Sequence, residues 1–248
     1  HQAAGQAELL EQLGAEAVQL PLLQIAPTAD SDSAFPLLKQ RILDLDLYQK
    51  IIFISANAVQ YGFDMIDQYW PQLPVGIHWL AIGKQTAQAL RRYDIEAEAP
   101  QGYDSEALLA CEALQAIAGQ RILIMRGQGG REMLGDVLTA RGARVDYADL
   151  YHRLCPDYTS QMISSTIYSQ PLDAILITSG EALHNLTVIL TAQNNLTDSL
   201  ETPIMVPSER VAQQAHSLGF TRVTIAEGAD SQAMAQAVIS NIDTDELQ

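Results

Sequence analysis

Five short runs of apolar residues constrain this chain more than any other feature. They are Ile51-Ile52-Phe53-Ile54, Trp79-Leu80-Ala81-Ile82, Ile122-Leu123-Ile124-Met125, Ala174-Ile175-Leu176-Ile177 and Ile204-Met205-Val206. A strand with one face in water alternates polar and apolar residues. Runs without alternation belong to strands covered on both faces, as in a parallel sheet between helices. Each run ends in small or polar residues and gives way to a helical pattern. Ser105 to Ile117 is one such segment, apolar at i, i+3, i+4 and i+7 behind Ser and Glu, and it predicts an amphipathic helix with an N-cap. Strand and helix alternate along the whole chain, which makes the fold class α/β, doubly wound.

The alternation also repeats at domain scale. Ile51 to Ala58 aligns with Ala174 to Glu181, Gly83 to Gln88 with Ser208 to Gln213, and Asp104 to Leu108 with Asp230 to Met234, at a nearly constant offset. The stretch Gly130 to Val145 resembles Gly5 to Val18. The chain therefore reads as two similar doubly wound parallel-sheet domains, flavodoxin-like, of roughly a hundred residues each. Pro-bearing stretches at 21–36 and 151–158 fall at equivalent points and predict a two-segment hinge. One domain is then continuous (27–150) and the other discontinuous (1–24 plus 156–248). In the second copy the helix from Gly130 follows the strand Arg121 to Met125, whereas the first copy's helix from Gly5 has only His1 to Ala4 before it. An opening strand is expected to be missing there, and the absent initial Met agrees with a chain that starts late.

Composition narrows the function. Of 248 residues 48% are hydrophobic, enough to bury substantial cores. Asp and Glu number 30 against 14 Lys and Arg, a net charge of −16 that argues against nucleic acid or an anionic membrane as partner. No apolar run reaches the ~18 residues of a transmembrane helix. The opening HQAAGQAELL lacks the basic n-region of a signal peptide, so the cytoplasm is the expected location. Two cysteines, Cys111 and Cys155, exclude a disulfide framework or a Cys-rich metal site. The five histidines form no HxH or HxxxH pair, and no metal site is expected.

Chemistry is left to the strand-to-helix turns. Arg126-Gly127-Gln128-Gly129-Gly130 follows a strand and opens a helix, either as a tight βα turn or as a ligand loop; the third glycine of a dinucleotide fingerprint is not in place. Four more turns share its character: Ser55-Ala56-Asn57, Gly83-Lys84-Gln85-Thr86, Thr178-Ser179-Gly180 and Pro207-Ser208-Glu209-Arg210. Ligands of open parallel sheets lie beyond the carboxyl ends of the strands. Helix N-termini there offer unpaired N–H groups to an anion, worth ~0.3–1 kcal/mol each. Each serine also has an ordinary reading as an N-cap. With two such domains facing each other, the expected site is the cleft between them, suited to a multi-anionic ligand that also meets Lys84, Arg126, Arg131, Arg153 and Arg210.

The ordered set of Ala81 to Ala87, Gly127 to Leu138 with Arg141-Gly142-Ala143, Tyr151-His152-Arg153, Ile177 to Gly180 and Pro207 to Arg210 resembles uroporphyrinogen-III synthase over nearly the whole chain. So do the paired Asp104-Ser105 and Asp230-Ser231 starts and the crossing Pro21 to Pro27. The resemblance implies a cofactor-free lyase of tetrapyrrole synthesis. It takes hydroxymethylbilane, a linear tetrapyrrole octacarboxylate, expels the ring A hydroxyl as water, and closes the macrocycle with inversion of ring D through an azafulvene cation and a spiro-pyrrolenine. It also implies a monomer, a transient hand-over from the upstream bilane-forming enzyme, and Tyr151 as the catalytic group that helps the hydroxyl depart. Ser55, Thr86 and Ser179 fall where the family places hydroxyls or adjoining amides, and the substrate-binding set is completed by Ala56, Lys84, Gln85, Arg126, Gly127, Arg131, Gly180, Ser208, Glu209 and Arg210. Val211 stands opposite Thr86 in the second copy, a departure from the pattern. Two other readings stay open: a cytoplasmic two-lobed sensor without catalysis, and a nucleotide-dependent transferase using Arg126 to Gly130.

Overall fold

The uniformly apolar runs become short strands, buried on both faces at 51–53, 122–125 and Ile204–Val206 and half-buried at Ile175–Leu176. The computed structural model describes residues 2–102, 104–130, 132–193 and 196–245. The chain opens with α1 (Gln2–Gln12) and β1 (Gln24–Pro27), followed by α2 (Phe35–Leu43), β2 (Lys50–Phe53), α3 (Ala56–Tyr69), β3 (His78–Ala81) and α4 (Lys84–Arg91). Next come α5 (Ser105–Leu109), β4 (Arg121–Gly127), α6 (Met133–Ala140) and β5 (Arg144–Leu154). The remainder runs through α7 (Ser160–Thr166), β6 (Ile175–Leu176), α8 (Gly180–Ala192), α9 (Leu196–Ser199), β7 (Ile204–Val206), α10 (Glu209–Ser217), β8 (Val223–Ile225) and α11 (Ser231–Asp245). Two compact units result: Ile25–Arg153, and His1–Gln24 together with Leu154–Gln248.

The Ile25–Arg153 unit is built on a five-stranded sheet in the order β1-β5-β4-β2-β3. β2 pairs in parallel with β3 and β4, and β4 pairs in parallel with β5. Because side chains alternate across a strand, one continuous apolar run feeds two cores. Ile51, Phe53, Leu123 and Met125 enter one with Phe63, Ile66 and Leu90. Ile52, Ile122 and Ile124 enter the other with Leu80, Leu108 and Leu138. The sequence predicts a single helix over 105–117, but α5 stops at Leu109. Cys111 turns extended and a 3-10 turn covers Glu112–Leu114. The guanidinium of Arg141 compensates the break, donating to the Leu109 and Leu114 carbonyls at 2.8 Å each. The break lets Leu108, Leu109, Leu114 and Ile117 all reach one core.

The other unit carries a parallel sheet in the order β6-β7-β8 over a core of Ile163, Leu183, Leu190, Ile204, Val206 and Phe220. Among the described residues β6 lies at the sheet edge, whereas β2, its counterpart in the repeat, lies between β4 and β3. α1 packs beside α11, where Gln6 Nε2 donates to the Ser231 carbonyl at 2.9 Å.

Candidate functional site

The strand-to-helix turns come in pairs that follow the internal repeat. Ser55 follows β2 and caps α3, its Oγ accepting the Ala58 N–H at 3.0 Å. Ser179 caps α8 in the same way, accepting the Ala182 N–H at 3.1 Å. Their backbones nearly superimpose, with φ −165° and ψ 161° at Ser55 against −159° and 158° at Ser179. The second pair is Gly83 before α4 and Ser208 before α10, both extended and neither making a side-chain cap bond. Gly83 has no side chain to cap with. The first-turn N–H groups of Lys84, Gln85 and Thr86 therefore depend on some other acceptor, and their partial charge suits an anion. Asp104 and Asp230 close the repeat, accepting from Ala107 at 2.8 Å and from Ala233 at 3.0 Å.

Around these turns the expected residues fall out unequally. Ala56, Lys84, Gln85 and Ser179 are exposed, while Thr86 and Gly180 are buried. Arg210 and Gln214 of α10 lie over Gly180. Gln214 Nε2 donates to the Gly180 carbonyl at 3.3 Å, and a Cβ on Gly180 would stand 3.3 Å from Arg210 Nη1. Arg210 is thus brought to the Ser179 turn, whereas the exposed Glu209 bonds its own helix through Gln213 at 3.2 Å. Ser208 is half-buried. Arg131 lies outside the described residues. A cavity of about 460 Å³ in this unit lies under Asp173, Pro203 and Arg222, before β6, β7 and β8, and so at the other end of these strands from the turns.

Tyr151 is only 5% exposed, and its hydroxyl is 3.0 Å from Ser55 Oγ. Its ring lies over Gly127, where an added Cβ would be 2.6 Å from Cζ, and 5.6 Å from the ring of Tyr61. Ser55, Gly127 and Tyr151 thus form one group.

Arg126 is 7% exposed, and its guanidinium is taken up inside the unit. Nε donates to Asp149 Oδ1 at 2.7 Å and Nη1 to the Gly130 carbonyl at 3.3 Å, while Cζ sits 3.9 Å from the Tyr147 ring centroid. Burial pushes the Tyr147 phenol up, and the guanidinium beside it acts the other way. The loop it holds needs Gly129, whose φ of +76° is left-handed. Sequence reasoning missed Asp149, Tyr147 and Thr28. A carboxylate inside a strand was the available signal for Asp149, since such a group needs a partner.

Parallel α/β sheets carrying a duplicated set of Ser/Gly turns, with a tyrosine hydroxyl held at one of them, define a class of two-unit, strand-end-site proteins. Comparison with known proteins gives that class a family. The family model described as uroporphyrinogen-III synthase HemD matches residues 5–236. Relatives named uroporphyrinogen-III synthase include one from Salmonella typhimurium, 32% identical over 236 residues, and one from Escherichia coli, 33% identical over 234; each alignment covers 92% of both chains. Solved structures of uroporphyrinogen III synthases show the same fold. One from the extremely thermophilic bacterium Thermus thermophilus has a TM-score of 0.59 at 16% identity, covering 98% of this chain and 96% of its own. One from Helicobacter pylori has a TM-score of 0.59 at 14% identity, covering 89% and 91%. The chain belongs to the uroporphyrinogen-III synthase family and is by that membership a cyclising lyase of tetrapyrrole biosynthesis. These relatives disfavour the non-catalytic sensor. Among the described residues no helix is long and apolar enough to cross a membrane.

Proposed function

We propose that Tyr151 is the group that helps the ring A hydroxyl leave when this chain cyclises hydroxymethylbilane to uroporphyrinogen III. The observation that carries the reading is the Tyr151 hydroxyl held 3.0 Å from Ser55 Oγ, at the carboxyl end of β2. Ser55 Oγ already accepts the Ala58 N–H, so its own proton can point to the Tyr151 oxygen. The phenol proton is then available to the leaving oxygen. As the carbon–oxygen bond breaks, its electron pair stays on that oxygen, the phenol donates to it, and water departs. The proton released when ring D regains aromaticity balances the one given up.

The acetate and propionate carboxylates are assigned to first-turn N–H groups and nearby side chains in both units, at Ser55-Ala56, Lys84-Gln85-Thr86, Gly127, Ser179-Gly180 and Ser208 to Arg210. Lys84 and Arg210 supply cations at these turns. The buried Arg126 serves instead through the loop it holds. The division of the chain near 24 and 153 suits a two-segment hinge. A cytoplasmic monomer that receives the bilane from the enzyme forming it completes the proposal; the net charge of −16, which disfavours nucleic acid or an anionic membrane as partner, supports its cytoplasmic part.

Replacing Tyr151 with Phe is expected to lower kcat about tenfold with KM little changed, as for an interaction made in the transition state. Steady-state cyclisation kinetics measure this, and an unchanged kcat removes Tyr151 from the mechanism.

A further inference from the structure

We propose that Arg126 and Asp149 are positioning residues for Tyr151, acting through a β-bulge at Leu150. The inference rests on the reading of Tyr151 given above. Register between β4 and β5 runs Arg126 with Asp149 and then Gly127 with Tyr151, so Leu150 is an extra residue on β5. An unbroken strand alternates its faces. Val145 and Tyr147 pack on one core and Ala148 and Leu150 enter the other. Without the bulge Tyr151 would return to the face of Tyr147. With it, Tyr151 follows Leu150 into the same core and reaches Ser55. Re-aiming a side chain in this way is a recurrent use of bulges.

The bulge is held from three sides. Thr28 donates its backbone N–H to the Leu150 carbonyl at 3.0 Å and its Oγ1 proton to the Asp149 carbonyl at 2.7 Å. The Gln128 N–H donates to the Tyr151 carbonyl at 2.8 Å. The side-chain tie is Arg126 to Asp149, which joins the last residues of the two strands before their register shifts. The same guanidinium reaches Gly130 and covers Tyr147, so one buried cation couples the loop after β4 to the bulge on β5. Nε and Nη1 both have partners inside the unit and the residue is only 7% exposed, which is the arrangement of a mount and not of a ligand for substrate carboxylates.

The test uses Arg126→Met and Asp149→Asn in the full chain, each alone and combined with Tyr151→Phe, with hydroxymethylbilane as substrate and isomer III as the measured product. In the parent, each is expected to lower kcat about fivefold or more while KM stays within about twofold. In the Tyr151→Phe background the same substitutions are expected to change kcat by less than about twofold, because what they position is no longer there. Should Arg126→Met not fold, Asp149→Asn and Thr28→Val carry the test. Equal losses in both backgrounds, unchanged kcat, or a rise in KM with kcat kept would each overturn the proposal, the last by making Arg126 a carboxylate ligand. A Tyr151→Phe enzyme with full kcat overturns both readings. A Tyr151-dependent enzyme indifferent to Arg126 and Asp149 overturns this one alone.

Discussion

Two tyrosines of β5 lie where glycines leave room for them. A Cβ on Gly127 would be 2.6 Å from Tyr151 Cζ, and one on Gly135 would be 2.7 Å from Tyr147 Cζ. Neither ring can be accommodated beside a larger residue without moving. Gly127→Ala is therefore expected to cost about 1–3 kcal/mol as an overpacking substitution. It should also lower kcat more than it raises KM, since the displaced ring carries the hydroxyl. Urea unfolding and steady-state kinetics on one preparation measure both; a stable, fully active variant would contradict the assigned packing. Ser55 and Ser179 were legible as caps because the N-cap preference acts within three residues. The contacts of Arg126 were not legible. A basic residue at a strand end reads as a ligand for anions, and only the pairing of β4 with β5 brings Asp149 to it across 23 residues.

At the scale of elements, the parallel strands were readable because burial on both faces leaves an uninterrupted apolar run. The bulge was not, since Ala148 to Tyr151 contains no glycine to mark it, and the carboxylate of Asp149 signals the need for a partner without signalling a shift of register. The helix expected over 105–117 failed for a similar reason, because the Arg141 bonds that make its break tolerable come from another element. Elements also tie together away from the site. Tyr48, after α2, donates to Asp146 Oδ2 at 2.9 Å, and Asp146 is paired with Arg41 at 2.8 Å and with Arg121 at 3.1 Å. Burial first, and then the hydrogen bond to Asp146, push the Tyr48 phenol above its ordinary 10.0. The native state thus holds this proton after the unfolded state has lost it, so its contribution is complete below about pH 10 and declines as pH rises further. Thermal unfolding between about pH 9 and pH 11 is expected to show a steeper loss of Tm in the parent than in Tyr48→Phe. Parallel curves would remove Tyr48 as the source.

At the scale of the whole molecule, the duplicated turns are the legible part. Ser55 with Ser179, Gly83 with Ser208, and Asp104 with Asp230 keep both their sequence order and their local geometry. The net charge of −16 sets a condition on binding. An octacarboxylate is repelled at long range, so affinity has to come from local N–H groups and cations within a Debye length, about 8–10 Å near physiological salt. Raising salt from about 50 to about 200 mM is accordingly expected to leave kcat/KM unchanged or higher. A steep fall would show that attraction dominates the approach of substrate. If these turns and Tyr151 direct closure with ring inversion, the identity of the product shows it. Freshly prepared hydroxymethylbilane closes to isomer I when uncatalysed; the products are oxidised and the uroporphyrin isomers separated by chromatography. Isomer III in proportion to added protein is expected. Isomer I alone, with the protein folded, would contradict it.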